Sequence, residues 1–400
     1  MARRHEHQST PETHVLVTDA AGVRSAVDAI VSSGRFAFDA EFIGEDAYAA
    51  EICLIQVATQ DVVFLIDPLA GVDLAPFWST VTDGSIETVV HAGLEDLTIC
   101  YQHTGQAPRR VFDVQVAAGL VGLDYPMSLS RLARATLGVR LHKSQTLTDW
   151  RKRPLSAEQM DYAVQDVGYV LAIRDALDRK LGVLNRRDWA DEEFARFSDE
   201  RLYQPRAELL ARRVKGAGTL DGRALAVAQE VAVERERLAK EFNRPPRVLL
   251  KDHLVVAMAR HGWARPADLK SLRGMTLTGR PLQRICEAVQ RGLDMPEESL
   301  AQPSNKDEDT PWESSLGRFV TAVLGDYCRC HDVSFQLMGS NRDVRAVVLE
   351  HTRGADVVEP EAFQRGWRKQ FAGKVIEELL SGNYSVRVQN GVEPRLETSN

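Results

Sequence analysis

Phe36-Ala-Phe-Asp-Ala-Glu-Phe42 reads as a buried strand that carries two carboxylates, Asp39 and Glu41, two positions apart. Side chains so spaced leave one face of a strand, and the flanking Phe36, Phe38, Phe42 and Ile43 predict little water around them. Two like charges in such a place repel and raise each other's pKa unless a partner neutralises them. A divalent cation would do so. The spacing alone does not decide this, because Asp-X-Glu recurs in Asp191-Glu-Glu193, inside a polar, helix-like run that reads as solvated surface. Strand context and downstream partners must carry the rest.

Outward from that stretch, residues 1–13 read as a disordered leader, and the segment from Thr18 to Val31 as an amphipathic helix with Val23, Val27, Ile30 and Val31 on one face. Ile52–Ala58 and Val62–Asp67 form a hairpin around Thr59-Gln-Asp61, Thr88–His91 a fourth strand and Val111–Val114 a fifth. Helices occupy most of the remainder. Three antiparallel strands followed by a parallel strand and helices predict an α/β domain with a mixed sheet.

Four hundred residues imply two to four domains, and 44% hydrophobic with 27% charged residues is ordinary for a globular chain. Net charge is −7, but residues 206–293 hold eighteen Lys and Arg against nine Asp and Glu. An acidic half beside a basic module suits a metal-dependent enzyme acting on a polyanion. The five cysteines are odd in number and mostly in apolar runs, which predicts reduced thiols and a cytoplasmic location. Cys328-Arg-Cys330-His331 has no second pair at zinc-finger spacing. The N-terminus lacks an apolar signal core and no run approaches eighteen apolar residues, so neither export nor a membrane partner is expected.

Two further carboxylate sites follow. In His91-Ala-Gly-Leu-Glu-Asp-Leu97 a strand breaks at Gly93 and starts a helix, which puts Asp96 in the first turn at the carboxyl edge of the sheet, where open α/β folds place ligands. Glu95 and Asp96 would equally complement the helix dipole there. In the segment from Leu155 to Tyr169, Ser156 and Gln159 make a capping box, so Tyr162 and Asp166 stand at i and i+4 on one helix face. A Tyr hydroxyl bonded to its own helix neighbour is the alternative reading.

With Leu54-Ile-Gln56, Leu65-Ile-Asp-Pro68, Phe112-Asp113, Lys143-Ser144, Thr148-Asp-Trp150 and Arg153-Pro-Leu155, these stretches resemble the 3′-to-5′ exonuclease superfamily of four acidic ligands and a tyrosine, and within it the ribonuclease D family. The resemblance covers about residues 14–200. Residues 205–293 resemble the helical domain shared by RecQ-type helicases and ribonuclease D (HRDC), through Val231-Ala-Val-Glu-Arg-Glu-Arg-Leu238, Asn243-Arg-Pro-Pro-Arg247 and Pro266-Ala-Asp-Leu-Lys-Ser-Leu-Arg-Gly274. One departure is Gly44-Glu-Asp-Ala-Tyr-Ala-Ala-Glu51, where the family usually has a Tyr/Pro-rich connection bordering the RNA path.

The resemblance implies a ribonuclease H-like mixed-sheet exonuclease domain at 14–203 and an HRDC domain at 205–293. A polar linker at 296–311 and a second, divergent HRDC-like domain at 312–390 would follow, with a disordered tail after Asn390. It implies two Mg²⁺ or Mn²⁺ ions about 4 Å apart, bridged by Asp39, with Glu41 and Asp166 on the nucleophile side and Asp96 on the leaving-group side. Tyr162 would orient the attacking water. His91 is expected to support the site, Trp150 to pack, and Lys143, Arg153, Arg244, Arg247 and Lys251 to contact RNA phosphates. The implied activity is 3′-to-5′ trimming of RNA, tRNA precursors above all, with no obligatory protein partner. The alternatives are a DNA-directed exonuclease, although no Gly-x-x-x-x-Gly-Lys-Ser/Thr motor loop is present, and a catalytically idle RNA-binding adaptor, although all five site positions are filled.

Overall fold

Six strands build one mixed sheet: β1 (His14–Val17), β2 (Arg35–Ile43), β3 (Glu51–Ala58), β4 (Val63–Ile66), β5 (Glu87–Val90) and β6 (Val111–Asp113), in the order β1-β4-β3-β2-β5-β6. The computed structural model describes residues 13–44, 47–141, 148–204, 207–220, 222–300, 310–354, 361–383, 385–389 and 395–399. β3 and β4 pair antiparallel as the predicted hairpin, closed where the Thr59 N–H donates to the Val62 carbonyl at 3.0 Å. β1 runs parallel to β4, and β5 parallel to both β2 and β6. β1 has no counterpart in the sequence reading, because four residues with three exposed side chains carry no alternation to detect.

Alternation along β2 divides its two faces. Phe36 and Phe38 pack on Phe77, with ring centroids 6.1 and 5.4 Å apart, and so face helix α2 once α1 (Ala20–Ser33) and α2 (Ala75–Thr82) have covered that side. Asp39 and Glu41 therefore leave the other face. Phe36 and Phe38 lie behind the carboxylates, and Phe42 and Ile43 are themselves half-buried, yet burial is still the first cause of the raised Asp39 and Glu41 carboxyl pKa values.

Beyond the sheet come α3 (Leu94–Thr104), α4 (Val114–Leu120), α5 (Leu129–Leu137), α6 (Ala157–Gly168), α7 (Val170–Val183) and α8 (Arg187–Ala195). The Ser156–Gln159 capping box forms as read, Gln159 N–H to Ser156 Oγ at 3.2 Å and Ser156 N–H to Gln159 Oε1 at 2.9 Å. Residues 308–400 belong to the same compact unit as the sheet. They are held there by Arg186, whose guanidinium donates to the Leu120 carbonyl at 2.8 Å and to those of His331 and Asp332, and by Trp367, stacked on Trp189 at 5.0 Å. Past Asn390, Arg395–Ser399 pairs antiparallel with Ser385–Gln389 where a disordered tail was expected. The leader at 1–12 and most of the linker lie outside the described residues.

The second unit comprises Phe42–Ile52 and Glu200–Asp307. Helices Gly222–Phe242, Asp252–His261 and Gly279–Leu293 enclose a core that includes Val227, Val231, Leu254, Met258, Ile285 and Val289. Gly292 permits the closest approach: a Cβ there would stand 2.4 Å from Val227 Cα. The Ala49 N–H donates to Asn243 Oδ1 at 3.0 Å, and Tyr48 hydrogen-bonds Glu236, so the unusual connection after the first motif docks on this helical module.

Candidate active site

Three local structures deliver the acidic side chains. β2 presents Asp39 and Glu41 by strand alternation, α6 presents Tyr162 and Asp166 one turn apart, and the β5-to-α3 turn presents Asp96. The last of these depends on Gly93, since a Cβ there would lie 2.5 Å from Val90 Cβ. Asp96 is buried, while Asp39, Glu41, Tyr162 and Asp166 are half-buried.

Electrostatics shows that the four carboxylates share one site. Burial, followed by Asp96, Asp166 and Glu41, holds the Asp39 carboxyl well above the usual range. Glu41 is pushed up to about 8 by burial and then by Asp166 and Asp96. Burial lifts Asp96 to about 7, against hydrogen bonds from its own N–H and that of Ala40, and lifts Asp166 to about 6 against a bond from Tyr162. No Lys or Arg among the described residues pairs with any of the four. The Ala40 N–H serves both Asp39 and Asp96, which ties β2 to α3.

These groups suit a hard divalent cation in chemistry: carboxylate oxygens only, with no thiolate or imidazole required. Among the described residues no three acidic, His or Cys side chains already stand at metal-holding spacing. Tyr162 is held protonated far above its ordinary pKa by burial, by Asp166 and by their shared hydrogen bond. Its ring packs at 6.0 Å from that of Trp150, which is buried as anticipated.

The remaining predicted residues divide. His91 Nε2 bonds the Met127 carbonyl at 2.8 Å, a supporting role. Arg153 spends five hydrogen bonds internally, two on Asp67 at 2.5 and 2.7 Å, one on the Cys53 carbonyl and two on those of Trp150 and Lys152. No donor remains for a phosphate, so Arg153 clamps the segment before α6 to β3 and β4. Lys143 lies outside the described residues. Arg244, Arg247 and Lys251 are exposed on the helical unit, Arg247 in an ion pair with Asp252 at 3.3 Å. Sequence reasoning gave Asp113 no role; it accepts four backbone N–H groups beside Asp96, and only the motif Phe112-Asp113 hinted at it.

A family profile described as 3′-5′ exonuclease matches residues 14–182, and one described as HRDC domain matches 224–284. The chain is 31% identical over 389 residues to ribonuclease D of Sphingobium indicum, covering 95% of this chain and 98% of that one. It belongs to the ribonuclease D family. Ribonuclease D of Desulfotalea psychrophila is 29% identical over 362 residues, covering 89% and 96% of the two chains. Among solved structures, Escherichia coli RNase D, described as an exoribonuclease involved in structured RNA processing, is 26% identical with a TM-score of 0.74, covering 92% of this chain and 99% of that one. A Bifidobacterium adolescentis protein at 22% identity and a TM-score of 0.61 shares the fold. The enzyme is thus a 3′-to-5′ exoribonuclease of a divalent-metal-dependent superfamily acting on nucleic acid, with the ribonuclease H-like mixed sheet and helical C-terminal region expected from sequence.

Proposed function

We propose that this exoribonuclease trims the 3′ ends of structured RNA, tRNA precursors in particular, releasing nucleoside 5′-monophosphates in the cytoplasm. The observation that supports the site assignment is the elevation of four carboxylates, Asp39 and Glu41 each raised further by Asp96 and Asp166, with no Lys or Arg of the described residues paired to them. Asp39 would bridge two Mg²⁺ or Mn²⁺ ions, Glu41 and Asp166 would hold the ion on the nucleophile side and Asp96 the ion on the leaving-group side. When bound, such ions supply activation of water and stabilisation of the departing 3′ oxygen. The protonated Tyr162 hydroxyl, one turn from Asp166, orients the attacking water for in-line approach. The exposed Arg244, Arg247 and Lys251 meet the RNA backbone without reading sequence, so affinity weakens with salt. Residues 14–203 act as the catalytic domain, 205–293 as the HRDC domain and 312–390 as a divergent second copy. Among the described residues no helix is long and apolar enough to cross a membrane.

The test incubates a 3′-extended tRNA and a matched single-stranded DNA with Mg²⁺, with Mn²⁺, with EDTA, and with an Asp39→Asn variant. Stepwise release of nucleoside monophosphates from the tRNA, lost in EDTA and in the variant, is expected. Activity that survives EDTA would defeat the metal assignment, and faster degradation of DNA would make the enzyme DNA-directed.

A further inference from the structure

We propose that Asp113 is a positioning residue, one carboxylate that sets the turn delivering Asp96 to the metal site; this rests on the reading of Asp96 as a metal ligand. Asp113 ends β6 opposite Val90, the last residue of β5. Two strand-to-helix turns therefore start side by side, and the carboxylate serves both. Oδ1 accepts the Gln115 N–H at 2.8 Å and the Val116 N–H at 3.4 Å, capping α4. Across the strand pair, Oδ1 also accepts the Ala92 N–H at 3.2 Å and Oδ2 the Gly93 N–H at 3.2 Å.

That second pair of bonds falls on backbone with little tolerance. Ala92 has φ 55°, a left-handed conformation that an alanine adopts at a cost, and Gly93 approaches the Val90 side chain more closely than any Cβ could. Asp96 lies three residues on, in the first turn of α3, so its carboxylate inherits the turn's direction. The two turns share a second tie, since His91, next to Ala92, and Gln115, two residues after Asp113, both bond the Met127 carbonyl through Nε2, at 2.8 and 3.0 Å. Asp113 itself is almost completely buried and three of its four bonds converge on Oδ1, which suits an anchor more than a metal ligand.

Capping of α4 alone would make Asp113 a stability residue. The two roles separate in metal binding. Mn²⁺ titration by calorimetry and single-turnover trimming are measured for Asp113→Asn, Gly93→Ala and Asp96→Asn in the full chain. In Asp113→Asn the amide can turn its oxygen to α4, leaving an N–H facing the Gly93 N–H. Mn²⁺ affinity and kcat are expected to fall about 10–100-fold, with KM for RNA unchanged and kcat partly restored by excess Mn²⁺. Gly93→Ala, which shifts the turn and keeps the α4 cap, is expected to show the same pattern, and it decides the matter alone should Asp113→Asn not fold. Wild-type Mn²⁺ affinity in the folded variants would overturn the inference. If Asp96→Asn also binds Mn²⁺ like the wild type, the ligand assignment fails instead.

Discussion

Asp39-Ala-Glu41 on β2 and Asp191-Glu-Glu193 on α8 share one spacing and differ in backbone. On the strand, residues two apart point the same way, so both acids enter one site. On the helix they are about 200° apart: Asp191 is exposed and Glu193 is buried. The reading of the second stretch as solvated surface is thus corrected for Glu193, which accepts the Trp367 Nε1–H at 2.8 Å and pairs with Arg196 at 3.1 Å and with Arg368. Burial would raise its pKa, and Arg368, Trp367 and Arg196 overcome that and hold it below the usual range. Glu193, a buried acid with a structural task, comes with its cations from the same chain. No Lys or Arg of the described residues pairs with the acids of β2, whose carboxyl pKa values are raised instead of lowered.

The comparison can be broken at several points, and removal of a cluster acid is the most severe. Asp39→Asn is expected to lower kcat about 10³-fold or more, the several kcal/mol of transition-state stabilisation that metal-ion catalysis supplies, while KM for RNA stays within a few-fold; single-turnover product release measures it. Arg368→Met should do the reverse. Stranding Glu193 without its main cation costs about 3–5 kcal/mol of stability, seen in denaturant unfolding, with trimming retained where the protein is folded.

Tyr162→Phe removes the hydroxyl and keeps the ring against Trp150. An approximately 10²-fold drop in kcat with unchanged Mn²⁺ affinity is expected, and a loss confined to stability would return Tyr162 to its role as a helix neighbour of Asp166. The pH dependence separates the two acids by sign. Cluster pKa values raised to about 6, 7 and 8 mean that the folded state binds more protons than the unfolded, so metal-free stability falls as pH rises from about 4 to 8. The depressed Glu193 contributes stability that is present above its unfolded pKa and lost as pH falls through the folded one. Mn²⁺ should accordingly raise Tm by several degrees at pH 8 and hardly at pH 5, read by calorimetry. Smallest is Ser156→Ala, about 1 kcal/mol for a lost N-cap, with a modest rise in the Mn²⁺ requirement as the start of α6 loosens.

Patterns confined to one element were legible. The period of two on β2, the capping box and the i, i+4 pair on α6 are each complete within a dozen residues, and each formed as read. The failures share a cause. Arg153 and Glu193 are polar residues in polar runs, and nothing local announces that Asp67 lies 86 positions from the one, or Arg368 175 from the other. The attachment of residues 308–400 to the catalytic body depends likewise on Arg186 finding carbonyls about 145 positions away.

By itself, then, the sequence determined which residue types stand together on one strand face and one helix face, because those periods are properties of the backbone. Tertiary structure alone decided that Asp96 stands near Asp39 and Glu41 beyond a left-handed turn whose N–H groups bond Asp113, that Arg153 is a clamp, and that one Asp-X-Glu pairs with no Lys or Arg of the described residues while Glu193 of the other pairs with Arg196 and Arg368. Charge compensation is a sum over everything within a few ångströms, and that neighbourhood exists only once the chain has folded.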